Sequence, residues 1–297
     1  YRLATYPRMN STGKAFAIFV GAIMILSAFA SFVMRGGDES GNAVVPTGQD
    51  SLQTFGVQGR YVEWDFEGLQ DALQMAPEST VMAYWINLSA SENLTQAAKA
   101  ALPQSMGLLY GDQIHSNNKI DRLANVVFND TWTEFHEVKP YRVGYDGLVI
   151  PYQDYMMIPA GTDYAIVFGK PALFGPKGSV EKVLDVIMGE LSAQGFTLIG
   201  DDHADLQVAA LGSGGINMPL SGGYKEFYLG VNAIKGQDQG YDLSARYLQP
   251  QADTSGKIAE IASKNNLSLA STGSQTELSG VVAPDNLQKV LMALLGP

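Results

Sequence analysis

Tyr164-Ala-Ile-Val-Phe-Gly169, followed by Ser179-Val-Glu-Lys-Val-Leu-Asp-Val-Ile-Met-Gly-Glu-Leu-Ser-Ala-Gln194, is the stretch on which the fold turns. The first segment is a short apolar run closed by glycine, the pattern of a buried strand. In the second, Val180, Val183, Leu184, Ile187 and Leu191 recur at helical spacing. Ser179 stands where an N-cap belongs and Gly195 where a helix stops. Downstream, Phe196–Ile199, Leu206–Leu211, Phe227–Ala233 and the alternating Tyr241–Tyr247 read as strands. Gly256–Lys264 reads as a helix, Leu267–Ala270 and Leu278–Val282 as strands, and Asp285–Leu295 as a closing helix. From Tyr164 to Ala270 the alternation fits a ferredoxin-like α+β sandwich, with helices on one face of an antiparallel-rich sheet. That architecture carries no function with it.

Upstream, Tyr61–Trp64 and Val81–Leu88 read as strands and Phe66–Ala76 as a helix stopped by Pro77. Ser89-Ala-Ser-Glu92 is a capping-box pattern opening a helix that Pro103 ends. The spacing of Asn118–Phe128 predicts a further helix, and Gly147–Tyr152 a strand. GSVEKVLDVIMG (178–189) is similar to DNLQKVLMALLG (285–296), with EGLQDALQMA (67–76) a fainter copy. Amphipathic helices share that pattern whether or not they arose by duplication. The expected organisation is a first α+β domain over 60–157 and a second over 158–297.

Ahead of these domains, Ala15–Met34 (AFAIFVGAIMILSAFASFVM) holds no charge and no proline. At ~1.5 Å per residue, a helix of that length spans about 30 Å, the thickness of a bilayer core. Arg2, Arg8, Lys14 and Arg35 flank the run, and Asp38 is the first acid in the chain. That asymmetry predicts a cytoplasmic N-terminus (1–14), a single membrane-spanning signal anchor (15–34), a Gly/Ser-rich tether (35–59) and an extracytoplasmic remainder. Ala28-Phe29-Ala30 would suit signal-peptidase cleavage, but apolar residues continue past it and favour an anchor. Gly13, Ala17 and Gly21, with Ser27 and Ser31, form small-residue faces suited to helix–helix contact in lipid.

The 297 residues carry a net charge of −11 and no cysteine. Absent cysteine excludes disulfides, thiolate metal sites and cysteine nucleophiles. The acidic balance argues against nucleic acid as a partner. Asn87, Asn93, Asn129 and Asn266 each begin an Asn-x-Ser/Thr sequon, an acceptor site only in a glycosylating compartment.

Chemistry is sparse. Asp201, Asp202, His203 and Asp205 form the densest set of potential metal ligands, yet polar residues between two strands need no metal. Glu134 and His136 share one face of Thr133–Glu137 if that segment is extended. A carboxyl beside a histidine suits acid–base work, and an exposed strand of alternating polar residues explains the pair equally well. The loop Leu211–Gly223, with Gly212, Gly214 and Gly215, lacks dinucleotide, P-loop and nucleophile-elbow spacing and reads as a hairpin loop at a contact surface. Tyr141, Tyr145, Tyr152 and Tyr155, interleaved with prolines, suit a rigid interface. The resulting expectation is a non-catalytic, membrane-anchored accessory, assembly or cell-envelope subunit that contacts other membrane or envelope proteins and needs no cofactor. An extracytoplasmic ligand-binding or sensing module and a metal-assisted hydrolase built on Asp201, Asp202 and His203 are the alternatives.

Overall fold

The computed structural model describes residues 60–296, apart from 104, 116–117, 140–147, 194, 201–202, 214–217 and 236–239. The chain enters through β1 (Val62–Glu63) and the short helix α1 (Leu69–Gln74), then forms β2 (Thr80–Asn87). Helices α2 (Glu92–Ala101) and α3 (Met106–Ile114) precede a long hairpin of β3 (Lys119–Phe128) and β4 (Thr131–Lys139). Short strands follow: β5 (Ile150–Tyr152), β6 (Tyr155–Ala160), β7 (Tyr164–Val167), β8 (Gly169–Lys170) and β9 (Ala172–Pro176). Helix α4 (Lys177–Ile187) leads to β10 (Leu206–Leu211), β11 (Glu226–Ile234) and β12 (Gly240–Leu248). Helix α5 (Ala252–Lys264), β13 (Ser268–Thr272), β14 (Gln275–Val282) and α6 (Pro284–Leu295) complete the fold.

Twelve of these strands form one antiparallel sheet in the order β13-β14-β12-β11-β10-β2-β3-β4-β9-β7-β6-β5, and β1 pairs with β8 in a small parallel ribbon. The fold is therefore α+β. Strand β2 sits mid-sheet and is buried on both sides, which is why its sequence is an apolar run without alternation. Its Met82, Tyr84 and Ile86 face one core, together with buried residues of α2, α3, α5 and α6. Ala83 and Trp85 face the other, against α1 and α4. We call these the front and back faces. A third apolar cluster extends the front face across β6, β7 and β9.

One sheet thus replaces the two sandwiches expected from sequence, and a division at residue 157 falls inside β6. The seam is the antiparallel pairing of β10 with β2. Asn118–Phe128 is a strand rather than a helix. Asn129 and Asp130, with φ of 48° and 59°, supply the left-handed corner that a two-residue hairpin needs. Phe196–Ile199 forms no strand. The α2 cap is Ser91, whose side chain accepts from the Leu94 N–H, and not Ser89. Helix α4 ends at Ile187, well before Gly195. Ser179 lies within that helix and bonds the Trp132 and Pro176 carbonyls, both at 2.7 Å. Among the similar helices, α4 packs on the back face and α6 on the front. No helix among the described residues is long and apolar enough to cross a membrane. The expected anchor (15–34), its contact residues Gly13, Ala17, Gly21, Ser27 and Ser31, and the tether lie outside the described residues.

Candidate functional site

Register places the most polar part of the front face. The β3–β4 hairpin sets Asn125 opposite Glu134 and Leu123 opposite His136. Leu123 belongs to the front core, so Glu134 and His136 point to the front as well. Both are fully buried, at 0% exposure, which overturns the solvent-facing strand expected there.

Helix α3 covers them. Its N-cap Ser105 accepts from the Leu108 N–H at 3.2 Å. The first two helical N–H groups are held by Glu134: Oε1 accepts from Met106 at 2.8 Å and Oε2 from Gly107 at 2.7 Å. A carboxyl there meets both the unpaired amides and the positive end of the helix dipole. Asn125 also donates to Oε1, at 3.4 Å. The approach demands glycine at 107: a Cβ would lie 2.4 Å from Leu123 Cδ1 and 2.5 Å from His136 Nε2.

His136 donates from Nε2 to Glu134 Oε2 at 2.9 Å, and its Nδ1 lies 2.8 Å from Nε2 of His115, the C-cap residue of α3. Two strand residues thus clamp both ends of one helix, which bends at Tyr110. The facing nitrogens share a single proton, so the two rings cannot both be charged. Burial, with His136 alongside, lowers the His115 pKa to about 3. Phe174 stacks on the His136 ring at 5.9 Å between centroids. Burial and the Glu134 charge push the Tyr84 hydroxyl far above its ordinary range.

This line of groups can hold and relay a proton between His115 and Glu134. The groups run end to end instead of converging on a point, which is a poor cage for a cation. Among the described residues no set of three His, Asp or Glu gathers as a metal site.

No family model and no curated protein matches this chain. Two solved structures of TP0453 are similar in backbone. Crystal form III matches with a TM-score of 0.47 and 11% identity, over 75% of this chain and 98% of that one. Crystal form I matches with a TM-score of 0.47 and 10% identity, over 74% and 96%.

Other residues singled out from sequence are dispersed. Asp201 and Asp202 lie outside the described residues. His203 is exposed, and Asp205 accepts from Asn87 Nδ2 at 3.4 Å and from the Ala233 N–H at 2.9 Å, tying strand ends together. Tyr141, Tyr145, Gly214 and Gly215 are likewise outside the described residues. Tyr152 donates to Asp185 at 2.8 Å; burial and that carboxyl raise its pKa to about 12. Tyr155 is 1% exposed beneath the Arg60 guanidinium, so it is core and not surface. Gly212 is fixed by close approach, because a Cβ would lie 1.7 Å from the Tyr224 carbonyl oxygen. The far side of its loop is anchored, with Met218 and Leu220 buried in the front core. Asn129 and Asn266 are exposed at left-handed corners. Asn93 donates to the Pro284 carbonyl, and Asn87 is half-buried at the end of β2.

The surface carries a cleft of about 400 Å³ lined by Arg60, Tyr61, Glu63, Trp64, Tyr155 and Ile187. Sequence reasoning missed it, because Trp64 and Tyr155 are far apart in the chain. Sequence alone also gave no sign that His115 joins Glu134 and His136.

Proposed function

We propose that this chain is a non-catalytic, membrane-anchored extracytoplasmic protein, working as an accessory, assembly or envelope subunit through contacts with other proteins. One structural observation carries the non-catalytic part. The best acid–base constellation, Glu134–His136–His115, is spent on the two ends of α3 and lies beneath it. The Ala15–Met34 run and the basic residues around it support the anchor and its direction. Extraction of the full chain from its native membrane in mild detergent tests the reading. An assembly of defined stoichiometry with another membrane or envelope protein is expected; a chain with no other protein bound counts against it.

A second reading, an extracytoplasmic binding module, is favoured by the cleft that Trp64 and the Arg60 guanidinium line above the buried Tyr155 ring. Thermal-shift screening against metabolites, glycans and ions tests it, and no shift above noise removes its support.

A further inference from the structure

The two edges of the twelve-stranded sheet are built differently. At one end β5 is three residues long and carries Pro151, which cannot donate to a neighbouring strand. At the other end β13 runs for five residues, Ser268-Leu-Ala-Ser-Thr272, all exposed. It holds no proline and no charge, and it pairs with β14 in unbroken register. Residues 265–276 contain no charged side chain at all. Native edges are ordinarily guarded by lysine, proline, a bulge or a covering element; among the described residues β13 has none of these.

We propose that β13 pairs antiparallel with β13 of a second copy of this chain across a two-fold axis. The geometry is self-complementary. Gly273, at φ 59°, opens a two-residue turn that closes on the pair Thr272 and Gln275. By the alternation of an antiparallel ladder, the N–H and C=O groups of Leu269 and Ser271 then turn outward. An axis at Ala270 sets Leu269 of each copy opposite Ser271 of the other, so all four outward groups find partners. Charge selects the location. Each copy carries −11, so close approach is least opposed where a long stretch of surface is neutral. The pairing is independent of the function proposed above, because it rests on the strand alone.

The absence of cysteine makes the test clean. In the full chain in mild detergent, Ala270→Cys places two thiols on the axis, at a pair whose Cβ atoms suit a disulfide. Val281→Cys, at a residue 64% exposed on the neighbouring β14, is the control. Mild oxidation is expected to yield at least about tenfold more covalent dimer from position 270 than from 281. Adding Leu269→Lys to Ala270→Cys should abolish that excess while leaving the thermal melt unchanged. Equal cross-linking at the two positions, or a sedimentation mass of one chain for the unsubstituted protein, overturns the pairing. A single copy recovered with a different protein would overturn it while leaving the proposed function standing.

Discussion

Two glutamates are buried in this sheet, one on each face, and they do the same job with different company. Glu134 faces front and holds the first two amides of α3. Glu226, 1% exposed, faces back and accepts from the consecutive N–H groups of Thr197 and Leu198 at 2.7 and 2.6 Å, and from the Thr197 hydroxyl at 2.8 Å. Each takes a segment that has no strand partner and ties it to the sheet. A buried carboxyl here is a backbone organiser first. The difference lies beyond the amides: Glu134 continues into His136 and His115, whereas Glu226 ends at a threonine. Only the front site therefore adds a pair of histidines to its carboxyl.

Removing the carboxyls tests this contrast most severely. Glu134→Ala strands two helix amides and His136 together, and is expected to cost about 3–5 kcal/mol in chemical denaturation. Glu226→Ala strands the loop amides at 197 and 198, which can turn toward water, and should cost less, about 2–3 kcal/mol. An equal loss at the two sites would mean that the histidines add nothing. Gly107→Ala pushes a methyl into Leu123 and His136 and should cost about 1–3 kcal/mol, with the melt reporting it.

The front site is also tested through its pH dependence. With its folded pKa at about 3, His115 stays neutral in the fold while the unfolded chain takes up a proton below its ordinary 6.5. This contribution to stability is complete above pH 6.5 and falls as pH drops toward 3, by at most about 1.4 kcal/mol per pH unit. His115→Gln keeps a donor for His136 and removes the titration. Its stability, compared with the unsubstituted chain at pH 7.5 and 4.5, should fall less on acidification. An identical fall in both proteins would show that His115 does not titrate on unfolding.

The second half of the chain was legible in sequence and the first half much less so. Strands β10, β11, β12 and β14 and helices α5 and α6 lie close to where alternation and helical periodicity put them. In the first half β1, α1, β2 and α2 also lie near their expected places, but the stretch from α3 to β4 defeats local reading for identifiable reasons. Ile120, Leu123, Ala124 and Val127 follow helical spacing, but β3 lies between β2 and β4 and is buried on both faces, which erases alternation. The cue that points to the hairpin is Asn129-Asp130, a turn pair directly after the apolar Val126-Val-Phe128. Helix α3 carries Gly107 and Gly111, which weaken intrinsic propensity; they are needed because Leu123, His136 and Ile120 crowd against the helix. The site itself was half visible. Glu134 and His136 were paired correctly by strand periodicity, but their burial depends on α3, and His115 reaches them only through the tertiary fold.

The β2–β10 seam carries a consequence for how this chain acquires its structure. Residues 82–86 pair with 206–210, so the central strand has one open flank until more than a hundred further residues have been synthesised. Contacts so distant in sequence are slow to form, because the entropy of closing the intervening chain is lost before they repay it. During that interval Met-Ala-Tyr-Trp-Ile, residues 82–86, stands as an apolar template for any strand that meets it first. The arrival of Leu206–Leu211 therefore works as a kinetic checkpoint that converts an exposed apolar segment of the nascent chain into the centre of the finished sheet.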